Sequence, residues 1–532
     1  MRAHLLVGLV VCAGCSPLPL PEEVDSGVVD AGVAGCGADL ALTAELALTE
    51  RGVVRGVVAG DGSTSFRGIP YVKPPVGALR WRAPETDSTC WSGVRDATQW
   101  APVCPQLEQQ QGSAFDAGAP IRGEEDCLTL NVFKPTATDG GLPVMVFIHG
   151  GGNTGGSASE EIGATGVKLY DGNLLAVRGG VVVVTMQYRV GALGYLTLPM
   201  LDDAAGVSGN YGLLDQQAAL KWVQRNIANF GGDPSKVLLF GESAGAVNTC
   251  MQLASPGSAG LFHRAIIQSG SCTALTAAEK KSEGAEWLAS TSCTDAACLR
   301  AMTPEQLIRT YPVPVNVGSR RPPVSWNPNV DGVVLPRNPL EALRDGEGHD
   351  VPVIVGHNTD ETNLSMPLIT TEAEYRAALA TLAGPALVDP IIARYPVATY
   401  GSPRKALVQV TTDIFFGCQA RLSSRAAAHG STSYRYLFSR APQAARGAFH
   451  GVELAYVFQR MSAGSAADLA VEATMLEEWT RFAKTGAPSW AAASASEPLF
   501  VIDAPTSSVN AWRNAECDFF ESLGGVSILP PP

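Results

Sequence analysis

Val181 to Tyr188 reads VVVVTMQY, an apolar and mostly β-branched run with no polar face. Such a run must be buried on both sides, which is the position of an inner strand in a parallel sheet covered by helices. Its neighbours point the same way. VMVFIHG (144–150) is a second short apolar run, ending in glycines, and VLLF (237–240) is a third. Between them LLDQQAALKWVQRNIANFGG (213–232) places Leu214, Ala218, Trp222 and Ile227 near helical spacing and stops at Gly231-Gly232. AGAVNTCMQLAS (244–255) is a further helix-forming stretch. Strand, helix, strand, helix predicts an α/β fold with a large, mostly parallel sheet and helices on both faces. In such a sheet ligand chemistry collects at the carboxyl ends of the strands.

One strand end carries a reactive group. VLLF runs into Gly241-Glu242-Ser243-Ala244-Gly245, a GxSxG pattern between a predicted strand and a predicted helix. The turn is tight enough that side chains two positions either side of Ser243 would meet backbone, and glycine removes that clash. The hydroxyl then projects at a helix N-terminus, where free N–H groups favour developing negative charge. A glycine-rich turn with a capping Ser is the plainer alternative. HGGGNTGG (149–156) follows another predicted strand. Its amides, those of Gly151 and Gly152 with Ala244, can converge on a tetrahedral oxyanion. A phosphate-binding loop would need the Walker-type Lys, which is absent.

A serine nucleophile needs a base. The chain has seven His. His4 lies in the N-terminal leader, His149 belongs to the glycine loop, and His263 sits on an amphipathic stretch. His349, His357, His429 and His450 remain. His450, in GAFHGVEL, is followed by glycine and comes after the central strands, where a loop can deliver an imidazole. For an orienting acid, VPVIVGHNTDET is an apolar strand followed by Asp360 and Glu361.

The N-terminus, MRAHLLVGLVVCAGCSPLPLP, has Arg2, a short apolar stretch from Leu5 to Val11, and Ala13-Gly14 before Cys15. This reads as an export signal over residues 1–14, too short to span a bilayer. Small residues immediately before a Cys also resemble the bacterial lipoprotein processing box, which would leave Cys15 lipidated, although Cys12 stands where Leu is usual. Plain secretion is the alternative. Residues 15–42 read as a Pro-, Gly- and Ala-rich tether and 521–532 as a tail, around one domain at 43–520. The Gln-rich LEQQQGSAFDAGAP (107–120) reads as an exposed loop. Twelve Cys suit an oxidising compartment. Setting Cys12 and Cys15 aside, Cys293 and Cys298 are close enough to close a small loop, and spacing does not pair the others. A net charge of −13, with no Lys/Arg cluster, argues against a nucleic-acid partner.

Ten landmarks stand in order along the chain: FRGIPYVKPPVGALRW (66–81), EDCLTLNVF (125–133), HGGG, QYRVGALGYL (187–196), GNYGLLDQQAALKWVQRNIANFGGDPSKV (209–237), FGESAGA (240–246), LFHRAIIQSGS (261–271), VDGVVLP (330–336), GHNTDET (356–362) and FHGVEL (449–454). Together they resemble the type-B carboxylesterase and cholinesterase family of α/β-hydrolases, from about Arg51 to Cys517. The resemblance implies an esterase with Ser243 as nucleophile, His450 as general base and Glu361, rather than Asp360, as orienting carboxylate. It implies an oxyanion hole of Gly151, Gly152 and Ala244, and a charge at Glu242 beside the nucleophile. It implies disulfides Cys104–Cys127, Cys293–Cys298 and Cys418–Cys517. The leftover Cys36 and Cys90 are expected to form a fourth bridge, and Cys250 and Cys272 to be free and buried. The substrate implied is a small or medium uncharged ester; no metal or organic cofactor is required. Cholinesterases carry a Trp between the cysteines of the first bridge, where it holds a quaternary ammonium. Here Phe115 is the only aromatic between Cys104 and Cys127, so choline esters are not expected. An imidazole of ordinary pKa predicts activity falling below about pH 6. An inactive surface-adhesion relative and a long-chain lipase are the competing readings.

Overall fold

Strand β4 (Leu142–Ile148) alternates its side chains between two cores. Val144, Val146 and Ile148 join one hydrophobic cluster, while Met145 and Phe147 join another on the opposite face. β6 (Gly232–Glu242) does the same, with Val237 and Leu239 on the first side and Leu238 and Phe240 on the second. β5 (Val182–Met186) is fully buried. These strands sit in a computed structural model that describes residues 36, 42–108, 116–163, 165–312 and 324–523. The expected signal segment, Cys15, most of the tether, Phe115 and the end of the tail lie outside the described residues.

Among the described residues the sheet has eleven strands. The others are β1 (Val57–Val58), β2 (Ser63–Pro70), β3 (Thr129–Pro135), β7 (Arg264–Gln268), β8 (Val353–Asn358), β9 (Ser433–Phe438), β10 (Pro498–Ile502) and β11 (Ser507–Asn510). Across the sheet they run β11-β10-β9-β8-β7-β6-β4-β5-β3-β2-β1. From β10 to β5 every pairing is parallel; β11 at one edge and β3, β2 and β1 at the other are antiparallel. β4 lies between β5 and β6, so the chain reverses its direction of travel there, which opens a crevice at the strand ends. Ile148 of β4 is in register with Gly241 of β6, so the glycine loop and Ser243 leave the sheet side by side.

Five helices bear on the site: α1 (Tyr211–Asn226), α2 (Ala244–Ala254), α3 (Pro403–Thr412), α4 (Cys418–Gly430) and α5 (Ala466–Thr485). α1 corrects the expected stripe. Leu214 and Ala218 are only half-buried, whereas Leu213, Leu220 and Val223 are fully buried with Trp222. The helix is covered on nearly all sides and even buries Asp215, which pairs with Arg189 at 2.7 Å. It ends at Asn226, and a 3₁₀ turn (Ile227–Phe230) carries on to Gly231 at φ 83°. β6 begins at Gly232, five residues before the expected VLLF, because Gly232 pairs with Leu142 ahead of a bulge. Between α3 and α4 the chain makes a π-helical turn, Asp413–Gly417. The 107–120 loop is less exposed than expected at its ends, since Leu107 and Ala119 are buried.

Five disulfides are present among the described residues: Cys36–Cys90, Cys104–Cys127, Cys250–Cys272, Cys293–Cys298 and Cys418–Cys517. Cys250 and Cys272 are buried as expected but not free. The reason is a close approach that sequence spacing does not reveal. A Cβ on Gly270 would lie 2.5 Å from Ala246 Cβ, so the chain after β7 runs directly over α2 and brings Cys272 onto Cys250. No helix among the described residues is long and apolar enough to cross a membrane.

Candidate active site

Ser243 sits between the last residue of β6 and the first of α2, at φ 59° and ψ −126°. A non-glycine residue in that region is strained and persists only where its surroundings fix it. They do so here. A Cβ on Gly241 would lie 2.3 Å from the carbonyl oxygen of Gly245, and one on Gly245 would lie 2.0 Å from that of Ile148. Neither position admits a side chain. The Ser243 amide donates to Gln268 O at 2.9 Å, tying the elbow to β7.

The glycine loop packs against this elbow. A Cβ on Gly150 would lie 3.0 Å from Ser243 Cβ and 2.8 Å from Glu242 Oε2. Gly151 and Gly152 take φ of 111° and 62°, and the amides of Thr154 and Gly155 fold back onto Gly151 O. Asn153 accepts from Asn248 Nδ2 of α2 at 2.8 Å, and the Tyr188 hydroxyl donates to His149 O at 2.8 Å. The loop is thus fastened to the helix that follows Ser243. His149 stacks on Tyr188, donates from Nδ1 to Gly150 O, and is pushed down to about 4 by burial, so it stays neutral.

Of the four remaining imidazoles, His450 meets an acid. Its Nδ1 donates to Glu361 Oε2 at 2.6 Å, and its amide donates to Glu361 O at 3.1 Å. The other carboxylate oxygen of Glu361 accepts from the Asn358 amide (2.7 Å) and the Ser269 hydroxyl (2.6 Å). Asp360 instead accepts from the amide of Ala448 at 3.1 Å, closing the loop that carries His450. His349 bonds Ser255 O, His429 is exposed in the last turn of α4, and His357 is buried against Trp512. His263 accepts from the Val237 amide, a structural role.

His450 Nε2 faces the elbow, 3.2 Å from Glu242 Oε1. Burial alone lowers the basicity of this imidazole. The carboxylates of Glu242, Glu361 and Glu453 outweigh burial and push it up to about 9. That corrects the expectation of an ordinary imidazole. Burial and the other carboxylates in turn raise Glu242 to about 8 and Glu453 to about 7. Glu453 had no role in the sequence reading. It accepts from Gln268 Nε2 (3.1 Å) and Asn358 Nδ2 (2.6 Å), completing a buried polar cluster behind the imidazole. Its signal was present, three residues after His450 in FHGVEL, but a Glu in a loop gives no sign of burial. Ser269 likewise lies within LFHRAIIQSGS. Phe416, on the π-helical turn, packs its ring 5.0 Å from that of His450, and nothing in the sequence marked it.

A nucleophile elbow after an inner strand, beside a glycine loop from the adjacent strand and under a later His–Glu pair, is an α/β-hydrolase arrangement. The chain belongs to the carboxylesterase family, whose sequence model matches residues 43–520. It is 34% identical over 465 residues to the para-nitrobenzyl esterase of Bacillus subtilis (strain 168), covering 84% of this chain and 91% of that one. It is 38% identical over 463 residues to the fumonisin B1 esterase of Sphingopyxis macrogoltabida, covering 83% and 82% respectively. A solved PNB esterase superposes with a TM-score of 0.77 at 32% identity, covering 90% of this chain and 99% of that one. The chain is a carboxylic ester hydrolase.

Proposed function

We propose that the chain is an exported serine carboxylesterase that cleaves small to medium uncharged esters through Ser243, His450 and Glu361. The observation that carries this reading is the imidazole of His450, bonded through Nδ1 to Glu361 and turned through Nε2 toward the elbow. Ser243 attacks the ester carbonyl and His450 takes its proton at Nε2. Glu361 holds the reactive tautomer and stabilises the imidazolium. The amides of Gly151, Gly152 and Ala244 receive the oxyanion; each such donor is worth about 3 kcal/mol in the transition state. The alcohol leaves with the proton from His450, and water repeats the steps to free the acid.

Uncharged substrates fit the absence of any Trp between Cys104 and Cys127. The similarity to a para-nitrobenzyl esterase favours compact esters. Export fits the N-terminal pattern and five disulfides. We place a lipid on Cys15. The experiment is labelling with a fluorophosphonate, followed by rates on p-nitrophenyl esters of rising acyl length. The parent labels at Ser243 and Ser243→Ala neither labels nor turns over, while both melt alike. Full activity in Ser243→Ala removes the nucleophile, and rates that rise steadily into long chains convert the reading to a lipase. For the anchor, Cys15→Ser moves activity from the membrane fraction to the soluble one.

A further inference from the structure

The strip Gln268–Cys272 joins the nucleophile to the acid. At its start the amide of Ser243 donates to Gln268 O at 2.9 Å. Next, Ser269 sits at φ 56°, with its amide on Gly356 O at 2.8 Å and its hydroxyl on Glu361 Oε1 at 2.6 Å. Then Gly270 lies so close to α2 that a Cβ would come within 2.9 Å of the amide nitrogen of Val247. The strip ends at Cys272, which is fully buried and bonded to Cys250 on α2, two turns beyond Ser243. A hydrogen bond therefore holds one end of the strip to the elbow, and a covalent bond holds the other end to the same helix.

We propose that Cys250 and Cys272 are positioning residues for catalysis. Their bridge keeps the strip seated on α2, so that Ser269 stays in its left-handed conformation and Glu361 stays aimed at His450. This rests on the triad reading given above. A left-handed serine is retained only where its surroundings over-determine it. The bridge supplies one of those constraints from within the helix that carries the nucleophile. Without it the strip relaxes away from α2, the Ser269 hydroxyl leaves Glu361, and the carboxylate loosens its hold on the imidazole. The movement starts at the far end of the strip and reaches Glu361 first, while the Ser243 amide keeps its bond to Gln268 O. The loss therefore falls on turnover rather than on binding. An imidazole less firmly held by Glu361 also loses part of what raises its pKa, so the acid limb of the pH profile moves to lower pH.

The test compares the parent, Cys250→Ala/Cys272→Ala, and Cys293→Ala/Cys298→Ala on p-nitrophenyl butyrate, with kcat, KM, pH profile and melting followed for each. The expected result is a kcat lower by about tenfold or more in the first variant, since small misplacement of reacting groups is costly. Its KM stays within about twofold and its acid limb shifts down, while the second variant keeps the parent's profile. A first variant that melts earlier but keeps the parent's kcat and acid limb overturns the proposal. Should that variant not fold, the parent is treated with dithiothreitol in rising sub-denaturing urea until Cys250 is reduced. Aliquots are assayed before thiol trapping and mass spectrometry. Rate loss that tracks reduction of Cys250 supports the proposal, and full rate with Cys250 reduced overturns it. Fluorophosphonate labelling separates the two readings. An unlabelled parent sinks the triad, whereas a labelled parent with an unaffected variant sinks only the bridge.

Discussion

The His450 imidazole lies among three buried carboxylates, and in the proposed mechanism their charge decides at what pH it can act as the base. Glu242 is the largest of the influences that raise it. A base must be deprotonated to accept the Ser243 proton. A pKa raised from 6.5 to about 9 therefore places the acid limb well above that of a free imidazole, with activity climbing as pH rises through it. Glu242→Gln removes an opposite charge at 3.2 Å, which should move the limb of kcat/KM down by about one to three units. A limb that stays in place would show that Glu242 is neutral in the working enzyme. Glu361→Gln keeps the shape but replaces the carboxylate that accepts from His450 Nδ1 with an amide that no longer fixes the tautomer. Loss of kcat by about 10³- to 10⁴-fold is expected, checked in single-turnover assays of folded protein.

The elbow is an element whose geometry was legible and whose cost is measurable. Gly241 and Gly245 were expected to relieve a clash, and the structure gives its partners, the carbonyls of Gly245 and Ile148. Gly245→Ala forces β4 and α2 apart at a backbone atom that cannot move aside. Destabilisation at or above the usual 1–3 kcal/mol of overpacking is expected, read from the urea midpoint. Inner strands were legible for a related reason. β4 and β5 are apolar on both faces, and no other environment suits them. Helix α1 was legible as a helix but not in its orientation, because burial all round erases the stripe that would show which side faces in. The start of β6 was hidden, since GDPSK has the composition of a turn and joins β4 only through Gly232, ahead of the bulge. The same limit applies at the site. Ser243, His450 and the glycine loop announce themselves by motif. Glu453, Ser269 and Phe416 do not, because what makes them matter is where the loop after β9, the end of β7 and the π-helical turn bring them.

Across the whole molecule, disulfides supplement a sheet assembled from distant strands. Cys418 and Cys517 are 99 residues apart, Cys293 and Cys298 only five. Loop-entropy reasoning gives about 4–5 kcal/mol for the first bridge and about 2 kcal/mol for the second. Replacing each pair by Ala should lower the urea midpoint in that order, and equal losses would show that native packing outweighs chain entropy. The pairing of Cys250 with Cys272 was not legible because it depends on how closely Gly270 approaches α2. At the amino end, Cys36 is the first residue of the compact body and is bonded to Cys90. Tension applied to the chain ahead of Cys36 is therefore shared with Cys90, in the connection between β2 and β3, before it can reach β1 at the edge of the sheet.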